Sequence, residues 1–291
     1  MTEGYIQVTG GRVFYKKIGD GSGVPLLILH GGPGSTHHTY KPLELLGEER
    51  PVIFYDQLGS GGSDRPDDLS LWTLDRFIDE LSEIRQALGL EQVHLLGHSW
   101  GTMLAASYML TKPKGVKSVI FSSPCLSALQ WAEDQKANLK TLPVETQEVI
   151  MRCEKEGTTD SKEYREAVKA FNNQFVCRKE EIPKEWKAPK GAFNPVIYET
   201  MWGTSEFNPT GSLKEYDVTP RLSELHLPVL FTCGYYDEAT PKTTKGYADL
   251  VEEAQFHVFK ESAHMPYMEE PEEYRQVIRQ FLKSVETDGI R

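Results

Sequence analysis

The stretch "VHLLGHSWGTMLAASYML", residues 93–110, decides the fold. Its first half is a short apolar run suited to a strand covered on both faces, and its second half has the apolar character of a helix. Between them stands Gly97-His98-Ser99-Trp100-Gly101. A strand that turns at once into a helix, with a serine between two glycines, is the context in which G-x-S-x-G has a mechanical meaning. The glycines let backbone and helix pack closely around a strained turn, so that the Ser99 hydroxyl projects from the sheet edge over a helix N-terminus. The plain alternative is that Ser99 only caps the helix that follows it.

Outward from this junction the same rhythm repeats. The runs "PLLILH" (25–30), "PVIFYD" (51–56), "VKSVIFSS" (116–123) and "PVLFTCGYYD" (228–237) read as buried strands, and "FHVFK" (256–260) as a last one. After Thr73, Leu74, Phe77, Ile78, Leu81, Ile84 and Leu88 recur at helical spacing, with charges on the other face. The helix after Ser99 stops at Pro113, and "PEEYRQVIRQFLKSV" (271–285) is a final helix. At the front, "YIQVTGGRVFYKKIG" (5–19) alternates around Gly10-Gly11 as a hairpin. Strands alternating with helices predict an α/β protein with a mostly parallel sheet flanked by helices. Between Pro124 and about Leu225 the chain turns rich in Lys, Glu, Trp and Asn, with helical patterns and no buried-strand run. The expected division is a core from residues 1–124 and 227–291 with a helical cap inserted over 125–226.

Composition narrows the function. Of 291 residues, 39% are hydrophobic and 26% charged, the balance of a globular chain, and the formal charge of −11 repels nucleic-acid phosphate and anionic lipid. Neither a nucleic acid nor a membrane is the expected partner; a small or peptide-like substrate is. Cys125, Cys153, Cys177 and Cys233 form no CxxC pair and no disulfide framework, and no basic leader precedes an apolar run, so a cytoplasmic protein is expected. No His/Cys cluster has zinc-ligand spacing, and neither a metal nor a cofactor is called for.

A serine hydroxyl needs a base to take its proton and an acid to orient that base. Asp237 closes the run at 228–237, and His264 follows the last strand in "ESAHMPYMEEP", giving the order Ser, Asp, His. Read singly, Asp237 caps a helix and His264 is a loop residue; their joint placement after consecutive strands favours catalysis. His30 opens "HGGPG" (30–34) directly after a buried strand. Its glycines expose N–H groups suited to a developing oxyanion, so Gly31 or Gly32 completes a hole with the N–H of Trp100. A phosphate loop is the competitor, but no Lys-Ser/Thr follows. The "GSGG" at 59–62 reads as a turn, and His37 and His38 as loop residues.

With these residues assembled, the chain resembles the α/β-hydrolase superfamily and, within it, the proline iminopeptidases, which are serine peptidases. The likeness runs nearly end to end through "LHGGPGS", "YDQLGSGGSDRP", "LLGHSWGTMLA", "ETMWGTSEF", "GYYDEATP" and "SAHMPYMEEP". It implies release of an N-terminal proline, or sometimes another residue, from short peptides, amides or arylamides without a metal. It also implies that Glu206 in the cap and Glu238 beside Asp237 hold the substrate's free amine, two acceptors for the two N–H donors of a prolyl ammonium. Trp100 and Trp202 are candidates to wall an apolar pocket for the pyrrolidine ring, with plain packing the alternative for the cap tryptophan. The chain departs from the family pattern at Leu58, Gly62, Thr102 and Thr204, which bears on pocket shape and not on the triad. The expected mechanism is an acyl-enzyme on Ser99, with Gly31 and Trp100 as oxyanion donors. An esterase, lactonase or amino-acid amidase is the first alternative, and a non-catalytic binding protein the second.

Overall fold

The computed structural model describes residues 1–288. Its centre is one eight-stranded sheet in the order β1-β2-β4-β3-β5-β6-β7-β8, where β1 is Thr2–Val8, β2 Gly11–Ile18, β3 Leu26–Leu29, β4 Val52–Tyr55, β5 Val93–Ser99, β6 Val116–Pro124, β7 Val229–Gly234 and β8 Gln255–Phe259. The hairpin β1–β2 is antiparallel and joins β4 antiparallel; from β4 to β8 every pairing is parallel. The hairpin pairs Val8 with Gly11, so its two-residue turn is Thr9-Gly10, one residue earlier than the glycine pair suggested.

The helices are α1 Leu74–Ala87, α2 Trp100–Leu110, α3 Ala128–Leu139, α4 Val144–Glu156, α5 Lys162–Phe175, α6 Pro195–Met201, α7 Pro241–Ala248, α8 Pro266–Glu269 and α9 Pro271–Asp288. Strand residues alternate between two cores, as a pleated sheet covered on both faces requires. Leu27, Leu95, Val119 and Phe231 face α1, α2 and α7, while Ile28, Leu96, Ile120 and Leu230 face α9. Thr73 caps α1 by accepting the Arg76 N–H at 3.3 Å. The polar side of α1 is not all solvated: Glu80 is buried, paired with Arg76 and accepting the Leu58 N–H.

Residues 37–48 form a 3-10 helix, where the sequence suggested only loop. Thr36 starts it by accepting the His38 N–H at 3.3 Å, and Pro42 inside it removes a backbone donor that an α-helix would use. From 125 to 226 the chain adds no strand to the sheet, only an isolated bridge between Ser127 and Asp217. Part of this segment has its own core, in which α3, α4 and α5 bury Leu139, Ile150, Tyr164, Phe171 and Phe175 with Phe207. Its remainder, including Trp131, Ile197, Met201, Trp202 and Leu222, is packed into the main core. No described helix is long and apolar enough to cross a membrane.

Candidate active site

The strand order reverses between β3 and β5, which lie side by side while their following chain departs to opposite sides, and in open α/β sheets ligands bind at that crevice beyond the strands' carboxyl ends. Ser99 ends β5 there. Its backbone sits at φ 53° and ψ −122°, a left-handed conformation that a non-glycine residue rarely adopts, and its side chain makes no capping hydrogen bond to α2. The capping alternative therefore has no support. The flanking glycines are required by close approach: a Cβ on Gly97 would overlap the Gly101 carbonyl oxygen, and one on Gly101 would overlap that of Leu29.

Asp237 and His264 arrive from the loops after β7 and β8. His264 Nδ1 lies 2.7 Å from Asp237 Oδ1, and Asp237 is held by the N–H groups of Ala239 at 2.8 Å and Gly234 at 3.1 Å. The His264 backbone is fixed from two sides. Its carbonyl accepts from His98 Nε2 at 2.7 Å and Ser123 Oγ at 3.2 Å. Its N–H donates to the Phe175 carbonyl at the end of α5, and so does the N–H of Glu238, both at 3.2 Å. Ser99 and His264 line one cavity, but no hydrogen bond joins them among the described residues. His264 Nε2 instead faces Glu238 Oε1 at 3.6 Å.

That cavity is about 170 Å³ in volume, and both Glu206 and Glu238 border it with Ser99 and His264. Glu206 accepts from Trp131 Nε1 at 3.1 Å and from the Tyr198 hydroxyl. Glu238 is buried, and its Oε2 has no partner. Burial raises the Glu206 carboxyl above its usual range against the opposing pull of Tyr198, His264 and Trp131. Burial also raises Glu238 strongly, opposed by His264 and reinforced by Glu206 and Asp237. For His264, burial disfavours the cation, yet Asp237, Glu238 and Glu206 together outweigh it and push the imidazole up to about 9. One buried imidazole thus faces three carboxyl groups.

The two glycines that the sequence offered as oxyanion donors are placed differently. The Gly31 N–H donates to the Tyr40 hydroxyl at 3.0 Å, and that hydroxyl lies 2.9 Å from His98 Nδ1, so Gly31 is committed to the wall. Gly32 borders the cavity, and its N–H makes no hydrogen bond among the described residues. Trp100 opens α2, where the first N–H groups have no helical acceptor. The Trp100 ring is largely buried, donating to Gln57 Oε1 at 2.8 Å and meeting Phe77 edge-on, while still bordering the cavity. His30 reaches no substrate space: it accepts the Gln57 N–H at 3.0 Å, and burial lowers its pKa to about 4. Trp202 borders the cavity and meets Trp131 edge-on at 6.2 Å.

Trp131 and Tyr198, which hold Glu206, went unrecognised in the sequence; each is an aromatic on a cap helix with no motif around it. Away from the cavity, His37, His38 and Asp56 bring three donor atoms within 4.8 Å of one another. His37 already donates to Asp56 through its N–H, at 2.8 Å, and Lys16 and Lys41 line the same cleft, which disfavours a cation there.

Comparisons with known proteins give the family. The family profile for the alpha/beta hydrolase fold matches residues 24–271. The proline iminopeptidase of Heyndrickxia coagulans is 58% identical over 98% of this chain and 99% of its own. A crystal structure of VinJ superposes with a TM-score of 0.92 at 33% identity, covering 98% of this chain and 99% of that one. A crystal structure of the proline iminopeptidase of Mycobacterium smegmatis gives 0.90 at 32%, covering 99% and 100%. Fold and crevice together define a hydrolase of the α/β-hydrolase class. Within that class, the chain belongs to the proline iminopeptidase family.

Proposed function

We propose that the protein is a serine aminopeptidase that releases proline, or another small residue, from the free N-terminus of short peptides, amides and arylamides. The observation that carries this reading is the pair of carboxyl groups, Glu206 and Glu238, that line one small cavity together with Ser99 and His264. A prolyl ammonium has two N–H donors, and Glu206 and Glu238 offer it acceptors in a site where water competes poorly. A cavity of about 170 Å³ is small beside the roughly 300–1,000 Å³ of pockets for drug-sized ligands, which suits one ring and not an internal peptide segment. Trp202 and Trp131 supply apolar walls.

In the reaction, Ser99 attacks the first carbonyl as His264 takes its proton, and Asp237 keeps the imidazole oriented. The oxyanion is met by the N–H of Trp100 and, in place of Gly31, that of Gly32. Loss of one such donor raises the barrier by on the order of 3–4 kcal/mol. His264 then protonates the leaving amine and activates water against the acyl-enzyme. Residues 125–226 act as the cap that closes the amine end. The charge of −11 argues against nucleic acid or anionic membrane as partners, and the four free thiols suit the cytoplasm.

The test is a panel of aminoacyl arylamides, free and N-acetylated, with proline compared to alanine, leucine and phenylalanine. Free prolyl arylamide is expected to be cleaved fastest, N-acetylation to remove most of the rate, and Ser99→Ala to abolish turnover. Glu206→Gln is expected to raise KM for the free-amine substrate. Equal rates on free and acetylated substrates would favour an esterase or amidase instead.

A further inference from the structure

We infer that Glu238 also gates the catalytic base: in the free enzyme it holds the proton-bearing Nε2 of His264, and an arriving substrate ammonium takes that carboxylate over and frees the base for Ser99. This rests on the aminopeptidase reading above. The geometry leaves His264 one available nitrogen, because Nδ1 is engaged by Asp237 at 2.7 Å. That nitrogen faces Glu238 Oε1 at 3.6 Å, with no hydrogen bond to Ser99 among the described residues. Glu206 is already occupied on both oxygens by Trp131 and Tyr198. Glu238 has no such partners, and its second oxygen is buried and bare.

The groups facing His264 are Asp237 and Glu238 from the loop after β7, Glu206 from the cap, the Trp131 ring, and His98 from the elbow at 4.7 Å between ring centroids. His98 is held well below its ordinary range, by burial first and the His264 charge second, so it adds no cation of its own. Against the cost of burial, Asp237 first, then Glu238 and Glu206, favour the protonated form of this imidazole and push it up to about 9. An imidazolium cannot take the Ser99 proton. When an ammonium settles between Glu206 and Glu238, the pull of those two groups on the imidazolium is offset; the Nε2 proton then leaves to bulk water, and the neutral ring keeps its Nδ1–H on Asp237. Binding a cation and releasing a proton are two sides of one coupling. Recognition of a free amine and activation of the serine become one event.

The test reads the base without using an amine substrate: the rate of Ser99 phosphonylation by a small neutral fluorophosphonate, measured against pH. In the parent protein the rate is expected to rise with pH through a midpoint well above that of an ordinary histidine. In Glu238→Gln the midpoint falls, and labelling at pH 7 rises about tenfold for every pH unit it falls, while prolyl arylamide turnover drops. Saturating pyrrolidinium, a cyclic secondary ammonium, is expected to lower the parent's midpoint and leave that of Glu238→Gln unchanged, a comparison that does not depend on the variant's stability. One midpoint under all these conditions overturns the inference. Failure of the parent to cleave prolyl arylamide while Ser99 still labels overturns the aminopeptidase reading instead, and leaves the gating measurement to stand by itself.

Discussion

At the scale of single residues, Ser99 is held in a backbone conformation that a side chain disfavours, and its neighbours keep it there. A residue held in so sparsely populated a region carries of order 1–3 kcal/mol of strain. The restraint comes from Gly97 and Gly101, where the β5–α2 turn presses on β3. Gly101→Ala is expected to lose about 3 kcal/mol of stability in urea denaturation, because its Cβ meets the Leu29 and His30 carbonyl oxygens, both backbone. Tyr40 links the Gly31 loop to the elbow. Tyr40→Phe strands the Gly31 N–H and deprives His98 Nδ1 of its donor in a buried place, so a loss of about 1–3 kcal/mol is expected, with Ser99 still reactive to fluorophosphonate.

At the scale of elements, α9 is tied across the sheet by Glu286, which pairs with Arg50 at 2.5 Å, accepts the Val24 N–H at 3.1 Å and meets His94 at 3.3 Å. Burial alone would raise this carboxyl, but Arg50, the Val24 N–H and His94 together lower it. A lowered folded-state pKa means stability that is present above the unfolded carboxylate range and lost as pH falls through the folded value. Glu286→Gln is therefore expected to cost about 1–2 kcal/mol at pH 7, with the gap to the parent closing in acid. The strands that carry the site were legible in the sequence because β3, β5, β6 and β7 are buried on both faces and read as unbroken apolar runs. Ser99 and Asp237 could be singled out because each lies at the end of such a run, and His264 because it follows the partly exposed last strand β8. Other features were not, since they depend on approach in space. Gly31 and Gly32 are indistinguishable until Tyr40 takes the N–H of the first. Glu80 and Arg76 look like a solvated helix face until Leu58 closes over them. Trp131 and Tyr198 acquire a role only where α3 and α6 converge on Glu206.

At the scale of the whole molecule, the inserted segment is half independent and half fused. The core around Phe171 belongs to the insertion alone, whereas Trp131, Met201 and Trp202 are part of the main core. Phe171→Ala is expected to cost about 3–5 kcal/mol locally and to appear first in hydrogen exchange over residues 139–175, with arylamide KM and kcat both impaired. The coupling to kcat follows from one atom. The Phe175 carbonyl takes the N–H groups of both Glu238 and His264, so the end of α5 is pinned to the acid-bearing and the base-bearing loops together. Loosening the insertion would therefore slacken both loops through a single shared acceptor, and damage at Phe171 would be felt at Glu238 and His264 together.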